Sequence, residues 1–189
     1  DLINYLRALS AAHQARRLAE VVEPNRPWLA APDFDYTLGN DSGHTLKDLR
    51  GKRAVLLVLF TWPESQARLT QLARHQDELR AAGTELLAVP LNPQAMQSGN
   101  LPGLPMISED QTEIAVAYGL FRRTLSTAAR TDLPLPAHME LLVDRSGYLR
   151  ARWIPGGDFA AWRDMKLLMN EVLLINQEAI APWPGDHVH

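Results

Sequence analysis

The order of apolar and polar positions separates strands from helices along most of the chain. Residues 54–60, AVLLVLF, form an unbroken apolar run between Lys52 and Arg53 on one side and Thr61, Trp62 and Pro63 on the other, as expected of a central strand buried on both faces. Residues 65–82 then carry Leu69, Leu72, Ala73, Gln76 and Leu79 at helical spacing, with Arg68, Arg74, Asp77, Glu78 and Arg80 on the expected solvent side. Gly83 stops that helix, and residues 86–89 give a second buried strand. The stretch 54–89 therefore reads as a strand, helix, strand unit with parallel strands.

The remaining elements follow from the same periodicities. A strand is predicted at 34–38, closed by the turn-rich residues 39–43, with a helical turn at 46–49. After the Pro- and Gly-rich residues 91–105, a short helix over 111–118 ends at Gly119. Residues 140–143 and 148–153 flank the turn Asp144-Arg145-Ser146-Gly147 and predict an antiparallel pair. A last helix is predicted over 158–175 with Asp158 as its N-cap and Trp162, Met165, Met169, Val172 and Leu173 on one face. Upstream, residues 1–22 predict an amphipathic helix, and Pro24 and Pro27 break it. The expected organisation is a helix at 1–22 left over from a preceding domain, a linker at 23–30, a domain at 31–178 and a flexible tail at 179–189. On this reading the amino-terminal helix contributes little to the central sheet. The fold class is α/β, a sandwich with a mixed central sheet.

Composition narrows the chemistry. Nineteen Lys plus Arg against 22 Asp plus Glu give a formal charge of -3, which offers a phosphate backbone no basic field, so no nucleic-acid partner is expected. No apolar run reaches the 18 residues that a membrane span needs. The 189 residues contain no cysteine. This removes disulfides, thiolate metal ligands, thioether haem attachment and thiol catalysis together. The chain opens on Asp1 without a signal sequence, and we expect it to be a piece of a longer protein.

The element order and three phrases resemble the thioredoxin-like superfamily in its TlpA, SCO and peroxiredoxin-like branches. APDFDYTLGNDSGHTLKDLRGKRAVLLVLF (31–60) looks like the amino-terminal hairpin and first core strand, AVAYGL (115–120) like the helix before the cis-proline segment, and LLVDRSGYLRARW (141–153) like the terminal hairpin. DLINYLRAL (1–9) resembles the last helix of a class I cytochrome c. The resemblance implies a thioredoxin-like sandwich. It also implies a periplasmic or secreted location, and a haem in a domain preceding this one rather than in this chain.

Redox members of the superfamily carry CxxC or CxxxC in the turn after the first core strand, where the helix N-terminus lowers a thiol pKa. Here Trp62, Pro63, Glu64, Ser65 and Gln66 occupy that degenerate turn. With SCO-like spacing, Trp62 and Gln66 fall on the two cysteine positions and Glu64 between them, and neither an indole nor an amide replaces a soft sulfur ligand. Ser65 is an oxygen nucleophile at most, with no adjacent base marked by the sequence; the plain reading has Trp62 filling a pocket and Ser65 or Thr61 capping the helix. Pro136 is assigned the cis-proline loop, with His138 facing the Trp62 turn if the cis bond is lost. Arg122, Arg123 and Arg130 are candidate partner-binding residues. No enzyme or metal site is assigned; a copper reading would draw on His138, Met96, Met106 and His44. The expected role is protein recognition, of a partner protein or of the upstream domain, or service as an accessory to electron transfer. The alternatives are an SCO-like metal-binding accessory and an oxidoreductase-like domain that has lost activity.

Overall fold

A computed structural model describes residues 10, 13, 18, 19, 21–25, 29–92, 103–108, 110–122, 134–156 and 161–181. A hairpin of β1 (Asp35–Leu38) and β2 (Asp41–Thr45) precedes β3 (Ala54–Phe60), α1 (Gln66–Arg74), α2 (Gln76–Ala81) and β4 (Thr84–Pro90). Then come α3 (Gln111–Gly119), β5 (His138–Val143), β6 (Leu149–Trp153) and α4 (Met165–Gln177). The central sheet has the order β4-β3-β5-β6, with β3 and β4 parallel and the other pairs antiparallel. This is the thioredoxin-like sandwich with a mixed sheet.

The seven residues of β3 are all buried because both faces of the sheet are covered. Val55, Leu57 and Leu59 pack with Ile114 and Tyr118 of α3, with Tyr36 of β1 and with Phe34 just before it. Ala54, Leu56, Val58 and Phe60 pack on the opposite face with Leu69 and Leu72 of α1, Leu79 of α2 and Leu168, Val172 and Ile175 of α4. Met165 and the half-buried Met169 belong to this second core, whereas Leu173, placed by periodicity on the same face, is exposed.

Several expectations change in detail. The helix over 65–82 is two helices broken at His75, whose Nδ1 lies 2.9 Å from the Gln71 carbonyl. Gly83, at φ 84, turns the chain into β4 in a conformation that favours glycine. The turn expected over 39–43 is shorter, because Asp41 already pairs in β2. The last helix starts at Met165 and is capped by Asp164, whose side chain accepts from the Lys166 N–H; Asp158 lies outside the described residues.

The segment before residue 31 takes a larger part than expected. Leu18 enters the α3-side core and Val22 the α4-side core, so the chain passes around the β6 edge. Arg152 N–H donates to the Ala19 carbonyl and Leu149 N–H to the Leu29 carbonyl, which satisfies ladder groups that β6 would otherwise leave open. Buried Arg150 bonds Asp144, Glu178 and the Glu23 carbonyl, joining this segment to the end of α4. Residues 1–9, and with them the helix compared to cytochrome c, lie outside the described residues. Starting the chain at Leu29 is therefore expected to lower stability by at least about 3 kcal/mol, comparable with deleting a large core side chain. Urea melts of the truncated and full chains measure the difference.

Candidate functional site

The ladder between β3 and β5 pairs Phe60 with His138 and runs without a bulge. The residues facing the turn after β3 are consequently Ala137 and His138. The Ala137 carbonyl accepts from the Thr61 N–H at 2.7 Å, and the hydroxyl oxygens of Thr61 and Ser65 lie 3.2 and 3.1 Å from it. Pro136 lies two residues beyond the end of the ladder. The cis-proline assignment to Pro136 is thus corrected: among the described residues the cis peptide bond is Trp62–Pro63, inside the turn itself.

Side chains brace the turn on both sides. Trp62 donates its N–H to Asn92 Oδ1 at 3.1 Å and accepts from Asn92 Nδ2 at 2.9 Å. Thr61 Oγ1 also donates to Glu64 Oε2 at 2.9 Å. Neither hydroxyl caps the helix as expected. Ser65 occupies the N-cap position of α1, yet its side chain makes no capping bond; it lies 3.0 Å from His138 Nδ1. Ser65 is 2 % exposed and His138 6 %. Ser65, and neither Trp62 nor Gln66, is thus the turn residue that meets His138.

His138 and Glu140 share a face of β5 because side chains alternate along a strand. His138 Nε2 lies 2.9 Å from Glu140 Oε1. Arg68 reaches the same carboxylate from α1 with Nε at 2.6 Å and Nη2 at 2.9 Å, a two-pronged pairing suited to guanidinium geometry. Arg68, assigned to solvent by its helical spacing, has a side chain only 9 % exposed. Its guanidinium lies 4.8 Å above the Trp153 ring, whose centroid is 5.8 Å from that of the His138 ring in a T-shaped arrangement. Burial would push the Glu140 carboxyl up, but hydrogen bonds from Arg68 and His138, with the Arg68 charge, outweigh it and hold the group below its ordinary value.

The copper candidates are not assembled around this histidine. Both His138 ring nitrogens already face Ser65 and Glu140, and Met139 points to the opposite core. Met106 pairs with Ala88 and packs against the α4-side core. His44 stacks on Tyr36 and lies 3.0 Å from Asp41; Met96 falls outside the described residues. Among the described residues no group of three or more His, Asp or Glu could hold a metal. No described helix is long and apolar enough to cross a membrane. Of the candidate arginines, Arg122 donates to the Gly119 carbonyl, and Arg123 and Arg130 lie outside the described residues.

Residues 29–152 match the model of the AhpC/TSA family. This chain belongs to that family. Over 131 residues it is 33% identical to alkyl hydroperoxide reductase E of Mycobacterium bovis, an alignment covering 64% of this chain and 79% of the relative, and it matches the protein of the same name from Mycobacterium tuberculosis equally well. Its fold resembles BsSco, a member of the Sco family of cytochrome c oxidase assembly proteins, with a TM-score of 0.56 at 14% identity over 84% of this chain and 99% of that one. Thioredoxin peroxidase I of Plasmodium yoelii gives a TM-score of 0.53 at 19% identity, covering 78% and 88%. This AhpC/TSA chain has no cysteine among its 189 residues.

The sequence reading missed Glu140 and Arg68, and it had no base to pair with Ser65. Replacing Arg68 with Met leaves the buried carboxylate short of its main partner and is expected to cost about 3–5 kcal/mol. Replacing Arg68, His138 and Glu140 together with apolar residues should cost less than the sum of the single changes. Because folding depresses the Glu140 pKa, its stabilisation is fully present above the ordinary carboxyl value of 4.5 and is lost as pH falls through the lower folded value. Glu140→Gln should therefore flatten that part of the acid limb in denaturant melts.

Proposed function

We propose that this domain of an AhpC/TSA protein has left thiol redox chemistry and works by recognition of an apolar protein segment. A groove of about 490 Å³ beside the Trp62 turn carries this reading. Pro90 and Leu91 form one wall, Ala115 and Val116 of α3 another, and Gln111 and Arg122 supply polar groups. Leu91 N–H donates to the Phe60 carbonyl, while Asn92 braces Trp62, so the groove wall and the turn are one connected unit. Apolar walls with a few polar groups are the usual make-up of a binding cleft.

The TlpA- and SCO-like phrases support an exported location and an accessory role beside an electron-transfer protein, with a cytochrome domain as a candidate neighbour. With no cysteine in the chain, thioether-linked haem would have to be held elsewhere. The copper-accessory alternative draws no support from the described donors.

Insulin-disulfide reduction with dithiothreitol, and hydroperoxide consumption with the same reductant, are expected to run at their uncatalysed rates. Panning a displayed peptide library on the protein should enrich apolar peptides whose binding is lost in Ala115→Arg, which fills the groove. Thiol turnover would remove the first half of the proposal, and peptide binding indifferent to Ala115→Arg the second.

A further inference from the structure

We propose that Ser65, His138 and Glu140 form a serine-nucleophile triad that accepts the acyl group of a small activated ester or thioester. This inference stands apart from the recognition groove. It rests on one continuous line of contacts: Ser65 Oγ to His138 Nδ1 at 3.0 Å, His138 Nε2 to Glu140 Oε1 at 2.9 Å, and Glu140 clamped by Arg68 at 2.6 and 2.9 Å.

The proton positions follow from the chemistry of each group. An ionised carboxylate only accepts, so Nε2 carries the hydrogen that points at Glu140. In the neutral ring Nδ1 is then the acceptor, and it faces the Ser65 hydroxyl. A nucleophile, a base beside it and a third group orienting the base are the parts that such activation requires. The roles are played here with the two ring nitrogens fixed by what each one meets. Arg68 and Trp153 are positioning residues: the first holds Glu140 ionised and in place, and the second packs in a T-shaped contact with the imidazole.

Local structure supplies the rest. Ser65 sits where β3 passes into α1, and its hydroxyl is not spent on capping the helix. Ser65 Oγ attacks the acyl carbonyl carbon while its proton passes to His138 Nδ1. Collapse of the tetrahedral adduct breaks the bond to the leaving oxygen or sulfur, which takes that proton from His138 and departs as the alcohol or thiol. Water, deprotonated by His138, then attacks the acyl-serine and releases the carboxylic acid and the free hydroxyl. The imidazolium formed in each half is stabilised by Glu140 on its other nitrogen. The Ala137 carbonyl, 3.1 Å from Ser65 Oγ, is the second acceptor within reach of the hydroxyl in the resting state. With Ser65 2 % exposed beneath the Thr61–Glu64 turn, the acyl group must be small.

The test uses the full chain and p-nitrophenyl acetate. Peptide mapping by mass spectrometry should find an acetyl group on Ser65, with a burst of nitrophenolate that is absent in Ser65→Ala and weaker with longer acyl chains. His138→Gln should slow the burst about 100-fold or more. Because His138→Gln also removes contacts in the core, Ser65→Cys gives a second measurement. A base beside the thiol should make it alkylate with iodoacetamide well below the ordinary cysteine pKa of about 8.5, and adding His138→Gln should abolish that reactivity. Acetylation confined to lysines and the amino terminus, with Ser65 unmodified, overturns the proposal. So does a Ser65→Cys thiol whose alkylation rate His138→Gln leaves unchanged.

Discussion

Glu140 is a fully buried carboxylate in an interior strand of the sheet, and the surroundings of the turn are arranged around its charge. An ionised carboxylate without partners at such a depth would cost more than the fold could sustain. Arg68 meets this requirement from α1 and His138 from two residues earlier on β5. The guanidinium must in turn be held between Glu140 and the Trp153 ring. One buried charge thereby fixes the angle of α1 on the sheet, the tilt of the imidazole and the place of Ser65 at the head of the helix. The arrangement need not add net stability over an apolar core of equal volume, since desolvation of buried ion pairs offsets much of their attraction. What it specifies is register, because a one-residue slip of β5 would carry both His138 and Glu140 to the other face.

The two outer strands impose a second constraint, since each would expose a row of unpaired backbone groups. On β4, Ala88 exchanges hydrogen bonds with Pro105 and Ile107. On β6, the segment containing Leu18, Ala19 and Leu29 takes the same part, and Arg150 anchors it through Glu23. The site therefore sits in the interior β3–β5 pair of a sheet covered along both sides. That placement explains how a turn between a strand and a helix can be braced to a single geometry by Asn92, Ala137 and Glu64.

Elements whose signal is local were legible in the sequence. The run 54–60 could be read as a central strand because all seven positions are apolar, and 148–153 as the antiparallel partner of 140–143 because the Asp144–Gly147 turn joins them. The candidate site was not legible, for a physical reason. In His138-Met139-Glu140 the alternation correctly separates faces, but it also resembles a half-exposed strand, and the residue that makes burial of Glu140 tolerable lies 72 positions earlier. Arg68 itself occupies a helical position that periodicity assigns to water. Pairings across such separations leave no trace in a single sequence, and so a histidine expected near the turn could be placed without its partners being known. The break at His75 was hidden in the same way, since the apolar stripe continues across it.

The difference between sulfur and oxygen explains why these partners matter at this turn. A thiol has a pKa close enough to neutrality that the partial positive charge of a helix N-terminus can release a reactive anion. A serine hydroxyl lies too far above neutrality for the same field to ionise it, so it becomes a nucleophile only where a base removes its proton during attack. At the head of α1 the helix alone would leave Ser65 inert. His138, which the β3–β5 register sets against Ser65, supplies the base, and Glu140 with Arg68 fixes which of its nitrogens is free to act. In a cysteine-free AhpC/TSA chain, the strand facing the turn, more than the turn itself, therefore determines whether any nucleophilic chemistry is retained.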